Sequence, residues 1–324
     1  MINSPLSIPI VGSLRDLESR LGVKRDELRE LLKSRPALYR PHTIPKKQHP
    51  YPGKVRLKKA ETEPTKYRNI DDPVRQLKDI QSRILRQILS HAELPAYMFG
   101  AVAGKTKTLA LHAQEHVRNQ TSTVVRMDIS SYYPSVTCAH VYYVWHKVLH
   151  CPPRIAKLLT ELTTSDRHLP QGAPTSPAIA NIFLASIYAP VCLASEQRGL
   201  TITTWVDDLI FSGDAAREVM DTVRQVLAQN GFKMAPRKRE ILGTKAEKVI
   251  TGVRLGRHQA RAPHRKMSEL RTSIHRLAIG IVPADEIERY RRNLVGRIAH
   301  VRSICKKDGE KLKSLAERKG VKLE

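Results

Sequence analysis

The spacing of apolar residues along the chain predicts two short amphipathic helices near the N-terminus. Residues 12–33 (GSLRDLESRLGVKRDELRELLK) carry leucines at helical spacing, and the pattern is interrupted near Gly22. Such a pair could form a helix-turn-helix that contacts DNA, but a plain helical hairpin packed on the rest of the chain is the commoner structure. A third helix is predicted from Val74 to Leu89, where the apolar residues again follow helical spacing.

The middle of the chain predicts alternating strands and helices. A strand over 123–129 (TVVRMDI) ends at Asp128, and the loop LPQGAPTSP leads into a helix with Ser176 as predicted N-cap and Pro177 as first helical residue. The remaining predicted elements are basic loops with one hairpin over 41–64, helical residues 139–162 interrupted at Pro152-Pro153, helices over 178–190 and 215–230, and a strand over 248–256 (KVITGVRLG).

One strand-like run contains two adjacent aspartates. In TTWVDDLIFSG, residues 203–213, apolar residues surround Asp207 and Asp208, although a carboxylate is costly to bury without a partner. The run predicts two short strands joined by a tight turn that carries both aspartates. Something must stabilise these charges at the turn.

The charge of the chain indicates a polyanionic partner. Its 324 residues contain 56 Lys and Arg against 31 Asp and Glu, for a formal net charge of +25. Nucleic acid is the simplest such partner, and a ribosome-associated structural protein or a membrane-surface binder are the alternatives. There is no 18-residue apolar run and no leader pattern, and the four cysteines form no CxxC pair. We therefore expect a cytosolic protein with reduced thiols that does not span a membrane.

The last part of the chain is the most basic. Residues 254–324 contain 19 basic and 8 acidic residues in a mostly helical pattern, which predicts a separate basic subdomain. The predicted division is an N-terminal helical extension over 1–40, a core over 41–253 and this helical subdomain over 254–324.

Three aspartates are candidates for catalysis by metal ions. If the strand that ends at Asp128 lies beside the strands that flank Asp207 and Asp208, three like charges converge and need a cation between them. Oxygen ligands without histidine or cysteine favour Mg²⁺ or Mn²⁺, and two such ions about 3.5–4 Å apart support phosphoryl transfer. Taken alone, two aspartates in a turn are more often an ordinary polar turn.

The order of four motifs resembles the palm of reverse transcriptases. The motifs are DISSYYPSV at 128–136, LPQGAPTSP at 169–177, WVDD at 205–208 and GFKMAPRKRE at 231–240. QGAPTSP, DDLIFS and the ITG of 250–252 are similar to the retron-type bacterial branch, and YRNIDDPVRQLKDIQ at 67–81 is similar to its fingers segment. The resemblance covers about residues 39–280 and implies an α+β right-hand polymerase fold with an antiparallel palm sheet, helical fingers and a helical thumb.

The resemblance assigns a role to each matching residue. Asp128 and Asp207 would bind two Mg²⁺ ions, or Mn²⁺, with the backbone of Ile129 beside them and Asp208 as a supporting carboxylate. The residues that would contact the incoming deoxynucleoside triphosphate are Arg68, Ser130, Ser131, Tyr132, Tyr133 and Gln171. Tyr133 would exclude a ribose 2′-hydroxyl, and Lys238 would protonate the pyrophosphate leaving group.

Some of these assignments have alternatives. Tyr133 could instead be an ordinary core tyrosine, and Lys238 could be a solvated charge within RKR. Arg56 offers a second alignment for the arginine of the fingers, in competition with Arg68.

Two positions depart from the family's usual pattern. Trp205 stands where a tyrosine usually precedes the aspartate pair. His112 begins HAQEH, where retron enzymes usually have N-A-x-x-H. Together, His112 and His116 could bind a metal, contact RNA or support the fold. The other residues predicted to contact RNA are Arg254, Arg257, Arg265, Lys266 and Arg271.

The resemblance implies a retron-type RNA-directed DNA polymerase. Such enzymes copy part of a partner non-coding RNA, starting from a guanosine 2′-hydroxyl, into an RNA-linked single-stranded DNA, and often act in anti-phage defence with a separately encoded effector protein. The alternatives are a non-retron bacterial reverse transcriptase, from an intron-like or abortive-infection group, and a non-catalytic RNA-binding scaffold. HAQEH favours the non-retron alternative, whereas QGAPTSP and ITG oppose it.

Overall fold

The computed structural model describes residues 11–34, 37–45, 67–102, 107–236 and 239–323. The chain forms two compact units. Unit 1 consists of Met1–Pro95, Ser130–Ala189 and Asn230–Phe232, and unit 2 of Ala96–Ile129, Pro190–Gln229 and Lys233–Glu324. The predicted boundaries near residues 40 and 253 stay a prediction.

The first helices of unit 1 form the predicted hairpin. Helices α1 (Leu14–Leu21) and α2 (Arg25–Lys33) are separated at Gly22, whose φ of 58° ends α1 in the left-handed conformation. The buried leucines of both helices lie in the interior of unit 1. Arg83 of α3 (Arg75–Gln87) donates to the Leu21 carbonyl at 2.6 Å. This packing favours the plain helical hairpin over a DNA-contacting motif.

The rest of unit 1 combines a hairpin with a group of helices. Strands β1 (Tyr39–Pro45) and β2 (Tyr67–Pro73) pair antiparallel, and most of the predicted basic loops lie outside the described residues. The helices are α5 (Tyr132–Ser135), α6 (Cys138–Tyr143) with a π-helical turn at Val144–Val148, α7 (Pro153–Thr163) and α8 (Ser176–Ile187). The interruption predicted at Pro152-Pro153 is confirmed.

The predicted N-cap of α8 is wrong by one residue. Thr175 occupies the cap position and makes no capping hydrogen bond with its side chain. Ser176 is the first residue of the helix, and its hydroxyl donates to the Pro170 carbonyl at 2.7 Å. The serine hydroxyl therefore stabilises the preceding loop rather than the free backbone N–H groups of the helix.

Unit 2 is built on a four-stranded antiparallel sheet in the order β4-β5-β3-β6. The strands are β3 (Val124–Asp128), β4 (Thr201–Trp205), β5 (Asp208–Ser212) and β6 (Glu240–Leu242). The helices that precede the basic C-terminal segment are α4 (Leu109–Glu115), α9 (Ala189–Gln197) and α10 (Met220–Gln229). The predicted strand ending at Asp128 and the tight turn at the aspartate pair are both confirmed.

The strand predicted over 248–256 is a hairpin instead. Strands β7 (Val249–Ile250) and β8 (Val253–Leu255) pair antiparallel, and β8 also pairs with β9 (Ala260–Arg261). Thr251 and Gly252 have φ values of 46° and 81°. Two successive positive φ angles are typical of the tightest hairpin turns, so the Thr-Gly pair reverses the chain in the middle of an apolar run.

The basic C-terminal segment is helical, as predicted. Helices α11 (His264–Ala278), α12 (Ile287–Ile304) and α13 (Lys306–Arg318) share an apolar core. Arg261 donates to the buried Asp308 carboxylate at 2.8 Å and ties this core to β9. Although burial raises the pKa of Asp308, hydrogen bonds from Arg261 and the Ala262 N–H hold it below its ordinary value.

Among the described residues, no single helix is long and apolar enough to cross a membrane. One bent pair, α8 with α9, meets the requirement by length and composition only. The residues of α8 are mostly buried within unit 1, as in the core helix of a folded domain.

Candidate active site

The sheet of unit 2 brings the three predicted catalytic aspartates to one end. Strands β3 and β5 pair so that Asp128 lies opposite Asp208 in the last position of the ladder. One residue further, the Ile129 N–H donates to the Asp207 carbonyl at 3.1 Å. Backbone pairing therefore joins the four residues of the predicted metal site, which are Asp128, Ile129, Asp207 and Asp208.

The turn that carries the aspartates is backbone-strained. Val206 has a φ of 59°, which is costly for a β-branched residue. Gly100 lies directly against it, because a Cβ added to Gly100 would be 2.6 Å from the Val206 nitrogen. The Phe99 N–H donates to the Thr204 carbonyl at 3.0 Å. The segment before α4 therefore lies beside the turn and supports it.

The motif GFKMAPRKRE flanks the other side of β3. The Ala235 N–H donates to the Asp128 carbonyl at 2.8 Å, and Met234 pairs with Ile129. These contacts place the segment that leads to Lys238 beside the end of β3. Lys238 itself lies outside the described residues, so its predicted role stays a prediction.

Arg126 is a site residue that sequence reasoning missed. Its Nη1 donates to the Glu240 carboxylate of β6 at 3.1 Å, and its Nε lies 3.7 Å from the Asp208 carboxylate. Arg126 precedes Asp128 by two positions on β3, so both side chains point to the same face of the sheet. The signal available in the sequence was this period-two spacing of a cation and a carboxylate.

The donor set suits Mg²⁺ bound together with a nucleotide. Within the described ranges, no group of three or more His, Cys, Asp or Glu side chains is placed to hold a metal ion. Mg²⁺ in nucleotide-dependent enzymes is usually bound by one or two carboxylates together with substrate phosphates and water. Asp128 and Asp207, with the backbone carbonyl of Ile129, offer oxygen donors of that kind at adjoining positions.

Within unit 1, the loop that carries Gln171 is pinned to β2. The Asp71 N–H donates to the Gln171 carbonyl at 2.8 Å. Gly172 has a φ of 126°, and a Cβ there would lie 3.0 Å from the Asp72 carboxylate. The side-chain oxygen of Gln171 is buried and has no hydrogen-bond partner among the described residues. This oxygen is therefore available to accept a hydrogen bond from a bound ligand.

The other nucleotide-contact candidates of unit 1 differ in exposure. Arg68 is exposed on β2, whereas Tyr132 is buried and its hydroxyl donates to the Ala180 carbonyl at 2.7 Å. This placement favours a packing role for Tyr132 over the predicted nucleotide contact. Ser130 and Tyr133 are partly exposed, and the left-handed Ser131, with a φ of 48°, is exposed.

His112 and His116 are buried and therefore inaccessible to RNA. Both side chains are fully buried, and both ring nitrogens of each are within hydrogen-bond distance of hydroxyl groups. Each Nε2 lies 2.7 Å from the Thr203 Oγ1, and the two Nδ1 atoms contact Thr251 and Ser212. The predicted RNA contact is therefore corrected to a supporting role, since no ring nitrogen is left for RNA or a metal.

Burial keeps both rings neutral. Desolvation, with a smaller effect of Lys107, lowers the pKa of His112 to about 4. Desolvation, followed by His112 and Arg118, lowers the pKa of His116 to about 3. A neutral imidazole has one donor and one acceptor nitrogen, so the shared Thr203 hydroxyl can donate to one ring and accept from the other.

The two departures from the family pattern contact each other. The rings of His112 and Trp205 have centroids 5.4 Å apart and planes inclined by 33°. Phe99 packs against His112 with centroids 5.1 Å apart, and the Lys107 ammonium lies 4.3 Å from the centre of the Phe99 ring. The larger indole and the imidazole therefore fill one space beside the turn that carries Asp207 and Asp208.

The basic residues predicted to contact RNA fall into two classes. Arg254 lies 3.8 Å from the Glu247 carboxylate, and Arg265 donates to Glu269 at 2.5 Å. Lys266 is partly buried, which together with Arg297 lowers the pKa of its ammonium. Arg257 and Arg271 are exposed, so these two are better placed for phosphate contacts.

Comparison with known proteins identifies the class to which this fold and site belong. The chain belongs to the family described as reverse transcriptase (RNA-dependent DNA polymerase), whose model matches residues 44–255. The protein is therefore an RNA-directed DNA polymerase, and the predicted right-hand polymerase class is confirmed.

Curated relatives indicate the branch of the family. The chain is 26% identical over 310 residues to the retron Ec86 reverse transcriptase of Escherichia coli, an alignment that covers 95% of this chain and 89% of that protein. It is 27% identical over 333 residues to the retron Mx65 reverse transcriptase of Myxococcus xanthus, and this alignment covers 94% of this chain and 71% of that protein. The predicted resemblance to retron-type enzymes is confirmed.

Acidification is expected to destabilise the protein through the buried histidines. Their folded-state pKa values of about 4 and about 3 lie below the unfolded value, so the unfolded state binds more protons below about pH 6.5 and the free energy of unfolding falls as pH falls. The loss between pH 7 and pH 5 is about 2 kcal/mol for each histidine. Urea unfolding across this range measures it.

Matched variants isolate the histidine contribution. His112→Asn/His116→Asn should flatten the dependence of stability on pH, whereas substitution of the exposed His275 by Asn should leave it unchanged. An unchanged pH dependence in the double variant would contradict the assignment.

The ring pair predicts that His112→Asn and Trp205→Tyr are coupled. Each substitution alone leaves a gap beside the partner ring, so the free energy of unfolding should fall by about 1–3 kcal/mol. The pair's coupling energy should be about 0.5–1.5 kcal/mol, so the double variant loses less than the sum. Urea unfolding of the unaltered protein, the two single variants and the double variant, with primer extension in parallel, gives the coupling energy. Additive losses would show that the rings act independently.

Proposed function

We propose that this enzyme copies part of a partner non-coding RNA into single-stranded DNA that stays linked to the RNA. The observation that carries the proposal is the pairing of Asp128 with the Asp207-Asp208 turn in a sheet whose chain aligns with retron reverse transcriptases over nearly its whole length. The pairing of the aspartates supports nucleotide addition in general. The similarity to retron enzymes supports the more specific proposal that the template is a partner non-coding RNA.

The carboxylates are the proposed metal ligands. Asp128 and Asp207, with the Ile129 carbonyl, would hold two Mg²⁺ ions. When bound, the ions lower the pKa of the attacking hydroxyl and stabilise the charge on the leaving pyrophosphate. Asp208 holds its position beside Arg126, which balances its charge and joins it to Glu240.

The nucleotide contacts are proposed from the resemblance and from unit 1. The exposed guanidinium of Arg68 suits a triphosphate, because its planar fork can donate to two phosphate oxygens. The unpartnered oxygen of Gln171 and the partly exposed Tyr133 support roles at the base pair and at the sugar. Ser130 and Ser131 would offer backbone contacts, and Lys238 a proton for the leaving group.

The partner RNA is proposed on charge and similarity. A net charge of +25 suits a large folded RNA, which proteins recognise mainly through phosphates, 2′-hydroxyls and shape. The relatives named above are retron enzymes. By analogy, the RNA–DNA product would act with a separately encoded effector protein in anti-phage defence.

Two other functions compete with this proposal. A non-retron bacterial reverse transcriptase would use the same aspartates but would make no branched product, and HAQEH favours it. The burial of both histidines weakens that argument, because they support the fold rather than read a substrate. The scaffold alternative lacks a reason for three carboxylates joined at one end of a sheet.

Asp207→Asn is expected to reduce nucleotide addition by about 100-fold or more, since it removes a metal ligand from the transition state. RNA binding should change little. The measurement is extension of a primed RNA template with Mg²⁺, and Asp221→Asn, at an exposed carboxylate of the same unit, is the control. Normal extension by the Asp207 variant would show that the metal assignment is wrong.

The nucleic acid bound in cells tests the type of product. The protein and Asp207→Asn are purified from cells with their native neighbouring DNA, and the bound nucleic acid is treated with RNase, DNase and a debranching enzyme. A discrete RNA-linked DNA that needs Asp207 and changes on debranching supports the proposal. Unbranched DNA would favour a non-retron enzyme, and RNA alone in both samples, without primer extension, would favour a scaffold.

Tyr133→Ala is expected to admit ribonucleotides, because the ring would no longer exclude the 2′-hydroxyl. The preference for dNTP over rNTP, measured as the ratio of kcat/KM values, should fall about tenfold or more. Tyr143→Ala, at an exposed tyrosine of the same unit, is the control. Unchanged sugar discrimination would place the exclusion at another residue.

A further inference from the structure

A polar pocket of unit 2 has no role in the site described above. It lies between the end of α4 with its following turn, Val117–Asn119, and the hairpin turn between β8 and β9. Its volume is about 490 Å³. The polar residues that line it include Gln114, Arg118, Gln120, Thr121, Arg257 and His258, with Glu115 as the acidic member.

Three hydrogen bonds hold the walls of the pocket in place. The Ala260 N–H donates to the Gln114 side-chain oxygen at 2.9 Å, and the Gln120 side-chain amide donates to the Arg257 carbonyl at 3.3 Å. On the other wall, Arg118 Nε donates to the Thr201 hydroxyl at 3.0 Å. The pocket is therefore formed before any ligand binds.

The two arginines of the pocket differ from their basic neighbours. Arg118 and Arg257 are both exposed, and within the described part of the chain no carboxylate lies within ion-pair distance of either guanidinium. Nearby arginines of unit 2, such as Arg254 and Arg261, are paired with Glu247 and Asp308. The pocket thus presents guanidinium groups whose charge is not already balanced.

This chemistry suits a sugar–phosphate backbone. A guanidinium can donate two parallel hydrogen bonds to a phosphate, and glutamine and threonine side chains can bond phosphate or 2′-hydroxyl oxygens. Among the described residues of unit 2, no Phe, Tyr or Trp lines the pocket, so its polar lining favours phosphate and 2′-hydroxyl contacts over stacking of bases on such rings. A pocket of this size and chemistry fits one or two nucleotides held by their backbone.

We propose that this pocket binds the phosphodiester backbone of the partner RNA and anchors that RNA to the catalytic sheet. The proposal rests on the proposed function for the existence of such an RNA. Arg118 contacts Thr201 at the start of β4, and its neighbour Asn119 contacts Thr201 and Ser212, the two strand ends opposite the aspartate turn. RNA bound here is held roughly 13 Å along β4 from that turn, because each strand residue adds about 3.3 Å.

The test compares two pairs of charge-removing substitutions. Arg118→Gln/Arg257→Gln alters the pocket, and Arg217→Gln/Arg224→Gln removes the same charge elsewhere in unit 2. Each full-length protein is titrated with the RNA that co-purifies with the unaltered protein and with a structured hairpin RNA of unrelated sequence, at several salt concentrations. Arg257→Gln alone is included, because the structural contact of this residue is made by its carbonyl.

The pocket pair should weaken binding of the co-purified RNA about tenfold or more and lower the salt slope by about 1.5–2, while the control pair changes both less. The control pair should leave extension of a short generic primer–template unchanged. Equal losses in the two pairs, or an unchanged Kd in the pocket pair and in Arg257→Gln, would overturn the proposal. Displacement of the RNA by millimolar inorganic phosphate alone would also overturn it, since the pocket would then bind any anion.

Failure of the proposed function gives a different result. If no discrete RNA co-purifies and only the unrelated hairpin binds, retron function fails, and a pocket-specific loss with that hairpin would still support an RNA-backbone site.

Discussion

The register between β3 and β5 is the constraint on which the active site depends. It joins Asp128 to Asp208 and places Ile129 against Asp207, although like charges at adjoining positions repel one another. The backbone ladder resists this repulsion because its other pairs bury apolar side chains such as Val125 and Phe211. A slip of one residue would turn Asp128 to the opposite face of the sheet. The burial of the apolar side chains therefore fixes the positions of the aspartates.

A second layer keeps the aspartate turn in its strained conformation. Val206 can hold a positive φ because Gly100 approaches it without a side chain and because Trp205 packs on His112. His112 is in turn bonded to Thr203 on β4 and to Thr251 in the Thr-Gly turn. A buried polar network of this kind is stabilising only when every member has a partner, and it then specifies one arrangement. The HAQEH and ITG segments, far apart in the chain, thus act on the same strand.

Much of this architecture could be predicted from the sequence, and the failures have physical causes. Helical periodicity located α1, α2 and α3, and the family motifs located the aspartates, because both signals are local. The hairpin at Thr251-Gly252 was missed since apolar residues on both sides concealed a turn made by two positive φ angles. The hydrogen bonds that bury His112 and the partner that Arg126 contacts on β6 lie more than 80 residues away, so local spacing could place Arg126 on the face of Asp128 but could not identify these partners.

Net charge predicted a polyanionic partner but not where it binds, and the structure shows why the two questions differ. Many basic residues of the C-terminal part are already balanced, as Arg261 is by the buried Asp308 and Arg265 by Glu269. Such pairs stabilise helices and hairpins and offer little to a phosphate. Arg118 was not among the predicted RNA contacts because it stands alone in the sequence, outside any basic run. Thr201 fixes its guanidinium, and no carboxylate of the described part of the chain lies within ion-pair distance of it. The proposed RNA site therefore depends on the position of a few cations rather than on their abundance.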